Sequence, residues 1–181
     1  VDEYCYSGAS GVSLCPGAVR QSTDDNSGDD CSDIDGCDHG THVAGSVAGH
    51  DGVGPDYGVA READLIAVQV FSRVDDSGVC GNSEPCIRAY SSDMIAALEA
   101  MLVLSASVDL ASINMSIGGS AYTTSAACDA DNPSFKAAID NLRSANVATV
   151  ISSGNSSYIN AIGWPGCISS AISVEIGRAH V

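Results

Sequence analysis

The sequence points to an α/β fold, three-layered, with a mostly parallel sheet and helices on both of its faces. Short apolar runs alternate with stretches whose apolar residues recur at helical spacing, the pattern of a parallel sheet covered on both sides. Hydrophobic residues make up 45% and charged ones 17% of the 181 residues, enough apolar material for a packed core and unlike a disordered chain. No apolar run reaches the roughly 18–20 residues that cross a bilayer.

Taken in order, residues 1–37 are rich in Gly, Ser, Asp and Cys without sustained periodicity and read as an irregular surface segment held by disulfides. A short Gly/Ala-rich helix is expected from Asp38, whose carboxylate can cap it, toward Gly49, its small residues allowing close packing. Residues 64–71 read as a buried strand, followed by a cysteine-bracketed loop. Ser91 or Ser92 opens a helix whose Ile95, Leu98, Met101 and Leu102 share one face. Residues 108–117 form a second strand ending in Gly118-Gly119. Phe135, Ala138, Ile139 and Leu142 mark a further helix with Pro133 at its start. Val147–Ser152 and Ala171–Val174 complete the strands. There is no internal repeat. In sheets of this kind, sites gather just beyond the carboxyl ends of the strands, which is where the segments after residues 117 and 153 fall.

With 23 acidic and 7 basic side chains the net charge is −16, which repels phosphate backbones and argues against nucleic acid as a partner. The eight cysteines lack the spacing of zinc sites. Three close pairs, Cys5 with Cys15, Cys31 with Cys37 and Cys80 with Cys86, leave Cys128 and Cys167 as a long-range couple. They read as four disulfides and an oxidising, extracellular compartment, although spacing alone does not fix the connectivity. No basic start followed by an apolar stretch marks a signal peptide.

Three segments carry chemistry. In Asp38-His39-Gly40-Thr41-His42-Val43-Ala44-Gly45, a histidine at a helix start suits general acid–base work near neutral pH. Taken alone, His39 reads first as a capping or surface residue, or as half of a metal site with His42. In Ile113-Asn114-Met115-Ser116-Ile117-Gly118-Gly119, an apolar strand ends in a backbone edge free of bulky side chains, to which an extended peptide can add; an ordinary strand and glycine turn is the plainer reading. In Ser152-Ser153-Gly154-Asn155, a side-chain amide at a strand end can donate to a developing oxyanion, or simply sit in a turn.

Together and in this order the segments resemble the subtilisin-like serine proteases. The resemblance rests on His-Gly-Thr-His-Val-Ala-Gly at 39–45, Gly-Val-Ala at 58–60, Asp-Leu-Ile-Ala-Val at 64–68, Asn-Met-Ser-Ile-Gly-Gly at 114–119, Ser-Gly-Asn at 153–155 and Trp164-Pro165. Arg61 and Ile117 depart from the common pattern, where proline and leucine are usual. The resemblance implies peptide-bond hydrolysis of polypeptide substrates, with His39 as general base and Asn155 as oxyanion donor. It implies that Ser116, Ile117, Gly118 and Gly119 bind substrate backbone beside the primary specificity pocket. It implies no required cofactor, and a monomer. Calcium is common in the family, but the acidic stretch Asp24–Asp35 has no defined ligand pattern, so no metal residues are assigned.

In such enzymes the chain order is Asp, His, Ser. Of Asp2, Asp24, Asp25, Asp29, Asp30, Asp33 and Asp35, none follows an apolar strand, so the aspartate is expected before Val1. No Gly-Thr-Ser block follows Asn155, so the serine is expected beyond the chain. Ile176–Val181 matches what a common sequencing adapter encodes in one frame. The sequence is therefore expected to be a partial peptidase domain over 1–175, incomplete at both ends and inactive as written, with 176–181 foreign to it. A catalytically dead, peptide-binding relative is the alternative.

Overall fold

The first strand lies where the sequence suggests only irregular chain. In the computed structural model, which describes residues 2–31, 33–50, 53 and 57–175, β1 (Asp2–Tyr6) is followed by two short strands, β2 (Val12–Ser13) and β3 (Gln21–Ser22). β1 pairs antiparallel with β3 and parallel with β4 (Ile66–Gln69), Asp2 opposite Ile66 and Cys5 opposite Gln69. Polar residues hide this strand from a hydrophobicity pattern, and the buried serines that follow and flank it are well satisfied. Ser7 is fully buried; its hydroxyl donates to the Phe71 carbonyl at 2.7 Å and accepts from the Leu14 amide at 3.0 Å. The Gly8 amide donates to the buried Ser72 hydroxyl at 2.7 Å. Buried hydroxyls with partners at both lone pair and proton cost little, so serines can build core here.

The expected strand at 64–71 is two strands. β4 ends at Gln69, and β5 (Phe71–Val74) begins after buried Val70. At the break the Gln69 side-chain oxygen accepts from the Phe71 amide at 2.8 Å, a local bond that competes with the ladder. β5 lies antiparallel between β2 and β6 (Cys86–Ala89). α1 (His39–Ala48) precedes β4. α2 (Ser77–Cys80), capped by the Asp76 carboxylate on the Gly78 amide, precedes β6. All of these lie in one compact unit, Val1–Ala97.

α3 (Ser91–Leu104) leads into the second unit, Leu98–Val181. Met94, Ala97, Leu98 and Met101 are its buried face, whereas Ile95 and Leu102 are half-buried. The face is rotated from the expected one because apolar residues surround this helix almost entirely, and periodicity alone then fits either choice.

In the second unit β7 (Ser112–Met115) and the short β8 (Ala121–Tyr122) precede α4 (Ser125–Asp131) and α5 (Pro133–Ser144). β9 (Ala148–Ser152), β10 (Ile162–Gly163) and β11 (Ile172–Val174) follow. β7, β9 and β11 form a parallel sheet with β9 in the middle, and β10 pairs with β8. A parallel pair needs a crossover, and α4 with α5 supplies it between β7 and β9. α5 buries Phe135, Ala138, Ile139 and Leu142, the face its spacing predicts, each large side chain contributing about 1.5–3 kcal/mol of burial. Thr124 caps α4 through its hydroxyl on the Ala127 amide.

Four disulfides join Cys5–Cys15, Cys31–Cys37, Cys80–Cys86 and Cys128–Cys167. No described helix is long and apolar enough to cross a membrane. Residues 176–181, expected to be foreign to the domain, lie outside the described residues.

Candidate active site

His39 is the first residue of α1, exposed, its amide donating to the Gly36 carbonyl at 3.3 Å. Asp38 does not cap the helix, contrary to expectation. Its backbone is already helical at φ −75° and ψ −5°, and its carboxylate turns instead to His42 Nε2 at 3.9 Å, one turn on. The close packing expected of the small residues is also not seen among the described residues: a Cβ placed on Gly40 or Gly45 would meet nothing within 4 Å. The helix is held at its far end. The Gly58 amide donates to Gly49, Val59 to Ser46 and Ala60 to Val47, satisfying carbonyls that the last turn leaves open. A Cβ on Gly58 would lie 2.6 Å from the amides of Ala48 and Gly49, so only glycine allows this approach. Gly58-Val59-Ala60 therefore seats the helix that bears His39. No described residue makes a hydrogen bond to the His39 ring.

The second unit carries the cleft. Beyond the carboxyl ends of β7 and β9, a cavity of about 270 Å³ is lined by Ser116, Gly118, Gly119, Ser152, Gly154, Asn155 and Ser156. All seven are uncharged, so the cleft offers hydrogen-bonding groups and backbone rather than a charge. Glycine shapes its walls. Gly154 sits at φ +107°, and Gly119 would place a Cβ 3.3 Å from the Trp164 carbonyl and ring. Trp164 is fixed in turn: its amide donates to Ser120 at 2.8 Å and its ring meets Phe135 of α5 edge-on, centroids 5.1 Å apart. The loop after β9 is tied down by Ser153, whose amide donates to Val174 and whose carbonyl accepts from Gly163.

The structure thus gathers Ser116, Gly118, Gly119 and Asn155 around one cavity. Ile117 does not line it; its carbonyl accepts from the Ser152 hydroxyl at 3.1 Å. His39 belongs to the other unit. Ser152, Gly154 and Ser156 line the cavity too, although the sequence marks none of them as a site residue. Only the alternation of β9, which brings Ser152 to the strand's end, signals its position. The acidic stretch after Asp24 lines a second cavity, of about 290 Å³, with Asn26, Asp29, Asp30 and Asp33. Among the described residues no three or more His, Cys, Asp or Glu side chains are placed to hold a metal ion.

Comparison with known proteins fits this geometry. The profile of the Subtilase family matches residues 16–177. A subtilisin of Bacillus sp. (strain TA39) is 36% identical over 146 residues, covering 80% of this chain and 30% of its own length. The PI-type proteinase of Lactococcus lactis subsp. cremoris is 35% identical over 123 residues, 65% of this chain and 6% of that protein. Among solved structures, sphericase superposes with a TM-score of 0.54 at 29% identity, over 72% of this chain and 37% of that one. The chain spans less than a third of the curated relatives named here. The parallel α/β architecture is the subtilisin-like one, and the chain belongs to the Subtilase family.

Proposed function

We propose that this chain is part of a secreted serine endopeptidase of subtilisin type, in which His39 is the general base and Asn155 the oxyanion donor. The observation that carries the reading is the one cavity that Ser116, Gly118, Gly119 and Asn155 line together. A peptide lying on that edge by strand addition brings a carbonyl within reach of the amide. His39 takes the proton of a serine hydroxyl as its oxygen attacks that carbonyl, and returns it to the leaving amine. Asn155 stabilises the charge that develops on the carbonyl oxygen. The aspartate and serine come from outside these 181 residues, so the polypeptide as written is inactive and its substrates are those of the whole protein. Residues 1–175 are then part of one peptidase domain. Four disulfides favour an oxidising, extracellular setting.

The protein expressed from its complete gene should react with a fluorophosphonate probe and cleave an unfolded protein substrate. His39→Ala should abolish both. Asn155→Ala should leave KM nearly unchanged and lower kcat about 10²–10³-fold, the magnitude known for subtilisin's own oxyanion asparagine. A complete protein that cleaves nothing and ignores the probe, yet binds peptides, would establish the catalytically dead relative instead.

A further inference from the structure

We propose that Ser152 is a positioning residue of this site, its hydroxyl holding the peptide-binding edge in register with the loop that carries Asn155. The inference rests on the protease reading above. Pairing between β7 and β9 ends at Met115 opposite Ile151. Beyond that point the two strand ends separate, one into 116–119 and the other into 153–156, and both line the cavity. Among the described residues, the hydrogen bond that joins them past the ladder is Ser152 Oγ to the Ile117 carbonyl, 3.1 Å, across 35 residues of sequence. The remaining bonds of the loop after β9 run elsewhere, from Ser153 to Val174 and from Gly163 to Ser153.

The direction of this bond matters. Successive peptide groups of an extended chain face opposite ways. With the Ile117 carbonyl turned to Ser152, an extended course through 116–118 turns the carbonyls of Ser116 and Gly118 the other way, where an incoming strand finds them. Ser116, Gly118 and Gly119 line the cavity and Ile117 does not. The bond therefore sets both the facing of the edge and its offset from Asn155. A peptide bound along a loosened edge still binds, but its carbonyl misses the amide, and a misplacement of this kind falls on kcat. The usual worth of one hydrogen bond corresponds to about a three- to tenfold change in rate.

The test uses the complete protein, with active-site titration so that rates refer to competent molecules, and two substrates: a peptide amide spanning several residues and a short ester that occupies no edge. Ser152→Ala should lower kcat on the peptide about three- to tenfold with KM nearly unchanged. The ester should lose less, and Ser152→Thr, which keeps the hydroxyl, should recover the peptide rate. Equal losses on both substrates, no loss at all, or a loss that threonine leaves in place would each overturn the proposal while the protease reading stands. A wild-type protein that hydrolyses neither substrate would overturn the protease reading itself, and this one with it.

Discussion

Gly154 occupies φ +107°, a conformation that an L side chain adopts only against a Cβ clash, and it directly precedes Asn155. Space is not the obstacle, since the nearest atom to an added methyl would be Gly163 Cα at 3.7 Å. Gly154→Ala should therefore cost about 1–2 kcal/mol through backbone strain alone. If the backbone relieves that strain by rotating, Asn155 swings with it, so kcat should fall more than KM rises. Thermal unfolding and steady-state kinetics on the complete protein check the two parts separately. A variant that is destabilised but fully active would show that Asn155 does not depend on the turn. At this scale the sequence was informative where a motif marks a strand end, as with Ser116, Gly118, Gly119 and Asn155, which line one cavity. It was silent where meaning depends on a distant partner. Ser152 is one serine among several until its hydroxyl is seen on the Ile117 carbonyl, and Asp38 is a capping candidate until its backbone proves helical.

Two elements make predictions of their own. α1 has no buried residue, and its described anchorage is the trio of amides from residues 58–60 on its last carbonyls. Gly58→Ala would force backbone apart at a 2.6 Å contact, so unfolding free energy should drop by about 1–3 kcal/mol, with activity falling as His39 loses its seat. α5 carries an ion pair one turn long, Lys136 Nζ to Asp140 at 2.6 Å. The lysine bond holds the Asp140 carboxyl below its ordinary value of 3.8, with Ser170 and Arg143 adding to the effect. A lowered folded value means that the pair stabilises above the ordinary value and is lost as pH falls through the lowered one. Because the carboxylate is 45% exposed, the size is that of a surface pair, about 0.3–0.5 kcal/mol. Asp140→Asn should melt slightly below wild type near neutral pH, and the gap should close in acid; a gap that persists in acid would mean a packing effect instead. The amphipathic α5 was readable from spacing, whereas β1 and the buried face of α3 were not. β1 is built from tyrosines, a half-cystine and acidic residues, and α3 is apolar nearly all round, so neither shows the contrast that periodicity needs.

Across the whole chain, the parallel α/β architecture was readable because strand and helix patterns alternate, and the four disulfides because three cysteine pairs lie close in sequence and leave Cys128 with Cys167. What spacing could not give is how differently those bridges act. Cys31–Cys37 closes a separation of 6 residues and Cys128–Cys167 one of 39. In the loop-entropy account these withdraw about 2 and about 4 kcal/mol of freedom from the unfolded chain. The long bridge is also the better supported in the folded state. Cys128 and Cys167 are both buried, and next to them the Ser169 amide and hydroxyl donate to the Asp129 carboxylate at 3.0 and 2.6 Å. Those bonds keep the two segments together once the sulfurs are gone, so removal acts mainly on the unfolded state. Replacing Cys128 and Cys167 by alanine should thus cost roughly twice what replacing Cys31 and Cys37 costs, measured as urea midpoints on the complete protein. The larger denaturant slope should appear in the long-bridge variant, whose unfolded chain expands more. Equal losses with equal slopes would mean that the bridges act through local packing, and that loop length is not what they contribute.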